Sequence, residues 1–218
     1  MKNLKILHTS YVTHDVKRII LEKPKGLVYR PGTAGHFSAN VEGWEDKSRP
    51  FTFTSLSDWD ELELTIKIYE ENNGVTQQIG KLKNGDELIL HNTFDTIKYK
   101  GHGLFLAGGT GITPFMAIFR ALFLSGNIKG HALLYSNKTE QDIIYGEELH
   151  QMLGNAFQNV FTRQGVIGFK ERHIDKAFLI ENIGRFDLQF YVCGPKEFTQ
   201  DITKALIELG ADPESVEV

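Results

Sequence analysis

At the centre of this sequence an apolar run breaks into glycines and reopens as a helix: Leu104-Phe105-Leu106-Ala107-Gly108-Gly109-Thr110-Gly111-Ile112-Thr113-Pro114. Beyond it, Phe115, Met116, Ile118, Phe119, Leu122 and Phe123 recur at helical spacing. A buried strand turning sharply into a helix commits this part of the chain to βα architecture. Glycines let the turn approach another group closely, and the helix start offers unpaired N–H groups and a positive dipole end. Phosphates are stabilised at such a place, and Pro114 fits the first turn, where no N–H is missed. No Gly-Lys-Ser/Thr follows, so this is not a P-loop, and the third, helix-side glycine of the dinucleotide fingerprint is absent. Alone, the run fits either a phosphate-gripping loop or a ligand-free turn.

After Gly101, strands and helices alternate. Strands are expected at 104–107, 131–136, 158–162 and 188–193, with helices at 114–124, 142–153, 174–182 and 196–209. In the last helix Phe198, Ile202, Leu206 and Leu209 form a core stripe. This pattern means a parallel sheet covered on both faces, which binds ligands outside the carboxyl ends of its strands. Glycine, hydroxyl and cationic groups gather at those ends: Gly108 to Gly111, Ser136-Asn137-Lys138, Thr162-Arg163-Gln164 and Cys193-Gly194-Pro195.

The first hundred residues read as strands. Leu4 to Val12 and Val16 to Glu22 flank a turn at Thr13-His14-Asp15. Tyr29 to Gly35 is turn-rich, His36 to Val41 is a strand, and Arg49 to Ser55 follows a polar loop. Glu61 to Tyr69 alternates strictly, the mark of a half-buried antiparallel strand. A short helix over 75–82 leads through Gly85-Asp86 to strands at 87–91 and 96–100. Short strands separated by turns suggest a small antiparallel barrel. The division falls near residue 101, giving domains 1–100 and 101–218.

Composition narrows the function classes. With 218 residues, 41% hydrophobic and 24% charged, the chain matches ordinary globular proteins. A net charge of −4 makes no case for nucleic acid or an anionic membrane as partner. No apolar run approaches the ~20 residues of a membrane span, and Met1-Lys2-Asn3-Leu4 does not open a signal peptide, so a cytoplasmic location is expected. Cys193 is the single cysteine, too few for an internal disulfide or an iron–sulfur cluster. The eight histidines show no metal-binding pair on one helix face, so no metal is expected.

Three blocks, in order, resemble the ferredoxin–NADP reductase family of flavoproteins: Arg49-Pro50-Phe51-Thr52, Gly108-Gly109-Thr110-Gly111-Ile112-Thr113-Pro114, and Tyr191-Val192-Cys193-Gly194-Pro195. Gly74-Val75-Thr76 is a weaker fourth. The resemblance implies a six-stranded antiparallel flavin barrel followed by a nicotinamide-nucleotide domain, with FAD in preference to FMN. It places Arg49 on the flavin pyrophosphate, Phe51 against the flavin ring where the family usually has tyrosine, and the Thr52 hydroxyl at flavin N5. Gly74, Val75 and Thr76 open a helix against the flavin phosphates, and Tyr69 stacks on the adenine. Gly109, Thr110 and Gly111 cradle the pyrophosphate of the nicotinamide nucleotide. Thr162 and Arg163, helped by Lys138, read a 2′-phosphate, favouring NADPH over NADH. Cys193 stands beside the two rings.

Each residue also has a plain structural reading. Arg49, Lys138 and Arg163 fit solvated surface cations, Phe51 a core ring, Thr52 a β-branched strand residue, Asn73-Gly74 a turn and Cys193 a small buried hydrophobe. Family members often end in an aromatic that covers the flavin, whereas this sequence ends Ser215-Val216-Glu217-Val218, which suggests an open nicotinamide face.

The implied activity passes hydride from NADPH or NADH to the flavin, then single electrons to a ferredoxin, a flavodoxin or a small-molecule acceptor. Lys81, Lys83, Lys98 and Lys100 offer an acidic carrier a complementary patch, or are ordinary solvated lysines. Two rival readings remain: an electron-transfer subunit of a larger complex, and a nucleotide-binding module that has lost its flavin.

Overall fold

The computed structural model describes residues 1–163 and 171–218. Its first half holds β1 (Lys2–Tyr11), β2 (Val16–Glu22), β3 (Thr33–Ala39), β4 (Arg49–Thr52), β5 (Glu61–Lys67) and β6 (Glu87–Asp95). These form one antiparallel sheet in the order β4-β3-β6-β1-β2-β5. The ends of that order meet: Phe53 bridges Leu64, and the Thr54 N–H donates to the Glu63 carbonyl at 3.0 Å. Closure removes the exposed edges that invite aggregation. Ile6, Ile19, Leu21, Phe37, Phe53, Leu62, Leu64 and Leu88 fill the interior, joined by Val75 and Ile79 of α1 (Val75–Lys81). Buried Lys17 donates to the Gly80 and Leu82 carbonyls at 2.9 and 2.6 Å, satisfying the end of that helix.

Two barrel expectations need correction. β3 begins at Thr33, inside the stretch read as turn; Gly35 lies in the strand because an added Cβ would come within 2.7 Å of Leu90 Cδ1. Residues 96–100 are not a strand. β6 pairs with β3 only as far as Asp95 opposite Thr33, and beyond it Thr96 and Ile97 turn their N–H groups to the Gly32 carbonyl.

The second half contains a parallel sheet in the order β11-β10-β7-β8-β9. Its strands are β7 (Gly103–Gly108), β8 (Ala132–Asn137), β9 (Phe157–Phe161), β10 (Gln189–Cys193) and β11 (Val216–Glu217). The helices are α2 (Thr113–Leu124), α3 (Gly146–Leu153), α4 (Lys176–Asn182) and α5 (Lys196–Glu208). Alternate residues of each strand point to opposite faces. Phe105, Leu133, Tyr135 and Tyr191 pack under α2 and α3, and Leu106, Leu134, Phe190 and Val192 under α4 and α5. The helix expected over 142–153 begins only at Gly146, after Tyr145 in the left-handed region at φ 56°. The two-residue β11 is too short for any periodicity to reveal.

β5 departs from its alternation. Its polar positions Glu63 and Thr65 are 1% and 4% exposed, so both faces of the strand are covered. The cover comes from the second domain. Arg120, on α2, donates to the Thr54 carbonyl and Glu63 Oε1, each at 2.7 Å, and to both oxygens of Glu148 on α3 at 2.6 and 2.8 Å. Arg18 Nε donates to Glu63 Oε2 at 2.6 Å, and the Tyr145 hydroxyl meets Thr65 Oγ1 at 2.8 Å. Burial opposes the charge of Glu63, but the Arg120 guanidinium beside it and the donors around it hold the carboxyl below its ordinary value.

A carboxyl depressed in the folded state stabilises above its unfolded value and loses that contribution as pH falls through the folded one. Urea midpoints of the wild type should therefore decline below about pH 4.5, with a component missing from Glu63→Gln. At pH 7 Glu63→Gln should itself cost about 3 kcal/mol, because Arg120 loses a charged partner inside the seam.

Candidate functional site

All five strands of the second sheet run parallel, so their carboxyl ends share one edge. The pairing aligns Gly108 with Ser136, Asn137 with Phe161 and Cys193 with Ala107. Four segments meet there: Gly108–Thr110, Ser136–Lys138, Thr162–Arg163 and Cys193–Pro195. Gln164, named with them from the sequence, lies outside the described residues.

The glycines divide by what surrounds them. A Cβ on Gly111 would come within 2.1 Å of the Cys193 carbonyl oxygen, and one on Gly194 within 3.1 Å of Gly108 Cα and 2.8 Å of Phe198. These glycines let two turns touch backbone to backbone, forming a floor. Gly109 is different: it holds φ +52°, and its Cβ direction is empty for 4 Å. The Tyr135 hydroxyl anchors the Gly109 carbonyl at 2.9 Å from below. Thr113 and Pro114 are buried in the first turn of α2, and the Thr113 hydroxyl donates to the Thr110 carbonyl at 3.0 Å. Their side chains support the turn from within.

Around this floor stand polar groups without protein partners. Among the described residues, the hydroxyls of Thr110 and Thr162 and the cations of Lys138 and Arg163 make no side-chain hydrogen bond or ion pair. Lys138 and Arg163 sit on adjacent backbones, since the Arg163 N–H donates to the Lys138 carbonyl at 3.1 Å. The buried Asn137 amide has the Tyr135 hydroxyl close by but makes no well-aligned hydrogen bond through its nitrogen or its oxygen, a costly state unless a water or a ligand completes it. At Cys193, burial pushes the thiol up to about 11, so it is neutral at physiological pH.

On the barrel side, Thr52 is half-buried with an unpartnered hydroxyl. It shares a strand face with Thr54, two residues on, and the Thr54 hydroxyl bonds Glu63 at 2.7 Å in the domain seam. Arg49 and Pro50 are exposed, and Arg49 donates only to the neighbouring Ser48 carbonyl at 2.8 Å. Phe51 is half-buried against the barrel core, 6.4 Å from the Phe37 ring. Gly74 precedes α1 and Thr76 lies in its first turn, whereas the Val75 side chain goes into the core. Tyr69, 48% exposed, shares a depression of about 510 Å³ with Lys138 of the other domain, so two residues assigned to different nucleotides line one hollow.

The lysines do not form one patch. Lys83 precedes the nine-residue β6 and Lys98 follows it, so they lie beyond opposite ends of that strand, and Lys100 pairs with Glu217 at 2.9 Å beside the start of the parallel strands, opposite the crevice. Sequence reasoning missed Glu63, Arg120, Tyr145 and Glu148. A trace existed: Arg120 is the one charged residue in α2, and nothing local explains it.

A family model, the oxidoreductase NAD-binding domain, matches residues 105–204. Over 98% of its length the chain is 27% identical to NADH–cytochrome b5 reductase 1 of Arabidopsis thaliana, covering 82% of that protein. It is 24% identical over 94% of its length to the ferredoxin–NAD(P)+ reductase component of the naphthalene 1,2-dioxygenase system of Pseudomonas putida, spanning 64% of it. Among solved structures, the FAD/NAD-binding domain of a Vibrio cholerae nitric oxide dioxygenase superposes with TM-score 0.87 at 20% identity, covering 99% of this chain and 96% of that one. A Neisseria gonorrhoeae ferredoxin–NADP+ reductase with bound FAD and NADP does so with TM-score 0.80 at 19% identity, covering 96% and 91%. The expected architecture, an antiparallel barrel before a parallel nucleotide-binding sheet, is the fold these structures share.

Gly111→Ala should force the two turns apart and lower the melting temperature by several degrees, a loss of about 2–3 kcal/mol. Gly109→Ala strains only its own backbone, by about 1 kcal/mol, so thermal melts should separate the two. Cys193 should react with a disulfide reagent at pH 8 far more slowly in the folded protein than in urea; equal rates would contradict its neutral, enclosed state.

Proposed function

We propose that this chain, which matches an oxidoreductase NAD-binding domain over residues 105–204 and carries an antiparallel barrel before it, is an NAD(P)H-dependent flavoprotein reductase of the ferredoxin–NADP reductase type serving an external one-electron carrier. The observation that carries this reading is the meeting of unsatisfied groups at one edge. The Gly109 turn leaves open space, the Asn137 amide is orphaned, and Thr52 faces the seam with a free hydroxyl. These groups fit a nicotinamide nucleotide on the parallel sheet and a flavin on the barrel. A bound FAD would supply hydride acceptance and single-electron release.

The protein's part is to bind and orient. Arg49, which among the described residues holds only its neighbour's carbonyl, suits the flavin pyrophosphate through its planar fork. The Thr52 hydroxyl can donate to the reacting edge of the flavin. The N–H groups of Gly109 and Thr110, at the start of the tight turn and without a side-chain cap, would meet a phosphate. The neutral Cys193 thiol walls off water without adding charge. The adjacent cations Lys138 and Arg163 support NADPH over NADH. The relatives named for cytochrome b5 and for a ferredoxin support a small redox protein as acceptor. A cytoplasmic location accords with this reading.

Stopped-flow mixing of the FAD-loaded protein with NADPH and NADH tests the proposal. Flavin bleaching is expected with both, faster with NADPH, and Arg163→Ala should narrow the preference about tenfold, the worth of one charge-assisted contact. Protein that takes up no flavin would instead mark a nucleotide-binding module. A chain that is reduced yet inert with every soluble carrier would mark a subunit of a larger complex.

A further inference from the structure

We infer that Arg120 is a positioning residue whose guanidinium fixes the separation and angle between the barrel segment bearing Thr52 and the glycine turn bearing Gly109. The inference deepens the reductase reading and rests on it. Arg120 stands two turns along α2 from Thr113, about 10 Å at helical rise, so a rigid rod links it to the glycine turn. On the other side its guanidinium grips the Thr54 carbonyl, two residues beyond Thr52, and Glu63 Oε1 at 2.7 Å each.

The grip leaves little freedom. Two oxygens of Glu148 occupy the remaining edge of the fork at 2.6 and 2.8 Å, so acceptors from three chain segments surround one planar group. The rings of Tyr145 and Trp59 flank it at 5.1 and 5.3 Å. Glu63 is in turn fixed by the Thr54 hydroxyl at 2.7 Å and by Arg18 at 2.6 Å. Arg18, Arg120, Glu63 and Glu148 sum to zero, so the cluster adds no net field to the crevice.

Adhesion alone does not call for this chemistry. Apolar side chains of equal volume would hold the two faces together without burying the charges of Arg120 and Glu63, whose side chains are 8% and 2% exposed. They would also let the faces slide, because apolar contact has no preferred direction. A forked guanidinium sets both distance and angle. Hydride transfer needs that constraint, since an error of ~1 Å in reactant placement costs about 100-fold in rate.

The test compares Arg120→Met with the fully apolar Arg18→Met/Glu63→Leu/Arg120→Met/Glu148→Met, which also removes the Arg18 charge that Glu63 holds. Spin labels at Lys83→Cys and Lys204→Cys, in a Cys193→Ser background without cofactor, report the inter-domain distance distribution. Hydride transfer is read in FAD-loaded protein that retains Cys193. Arg120→Met should broaden the distance distribution and slow flavin reduction about 100-fold, with flavin content and nucleotide Kd changed less than about threefold; Arg120→Lys should fall between. The apolar quadruple variant should regain the lost melting temperature yet keep the broad distribution and the slow step. Recovery of rate in step with thermal stability would overturn the inference, as would a narrow distribution in Arg120→Met. A wild type that no nicotinamide nucleotide reduces would refute the reductase reading, while the distance measurement would still decide the clamp.

Discussion

Glu63 is a carboxylate that water does not reach, and such a group is tolerated only when donors fill its lone pairs. Here the donors come from both halves of the molecule: Arg18 and Thr54 from the barrel, Arg120 and Tyr145 from the second domain. The domains therefore cannot part without stranding a charge. That requirement, more than apolar area, fixes how the barrel faces the parallel sheet. It also accounts for the αL backbone at Tyr145, a strained conformation for a non-glycine residue, since the ring and hydroxyl that it aims into the seam meet Arg120, Thr65 and Glu63.

The crevice follows from a second close approach. Gly111 and Gly194 bring the turn after β7 against the turn after β10, nearer than any side chain would permit. A floor of bare backbone results, with N–H groups and one open glycine above it. Sterically required glycines and one glycine with open space before it thus stand in the same short run: Gly111 closes the floor, and Gly109 leaves room over it. The groups left unsatisfied around that floor, Asn137 above all, give the crevice an unfilled hydrogen-bonding capacity that matches a polar nucleotide.

Electrostatics divide the labour. The charged cluster lies in the seam and is internally neutral, whereas at the crevice the unpaired side chains Lys138 and Arg163 are cationic and the thiol of Cys193 is uncharged. On the proposed reading, an anionic nucleotide would meet attraction at its phosphate end and an uncharged wall at the other. The chemistry in such an arrangement belongs to the cofactors; the protein supplies their alignment.

Much of this was legible in the sequence. Continuous apolar runs at Leu104–Ala107 and Phe190–Cys193 mark strands buried on both faces, and the glycine run with Pro114 marks the turn into α2, because these signals act over a few residues. Alternation in β5 was equally legible but misled, since a period of two reports which residues share a face and not what lies against it. A half-buried strand leaves its polar face, with Glu63 and Thr65, open to water, whereas here helices of the second domain cover that face. The pairing of Arg120 with Glu63 across 57 residues, the contact of Gly111 with Cys193, and the meeting of Tyr69 with Lys138 in one hollow depend on where distant segments come to rest. Local propensity determined the elements and the direction of the crevice. The tertiary structure alone decided which polar groups are spent within the protein and which remain for a ligand, because satisfying a buried charge is a property of the whole packing and not of any stretch of chain.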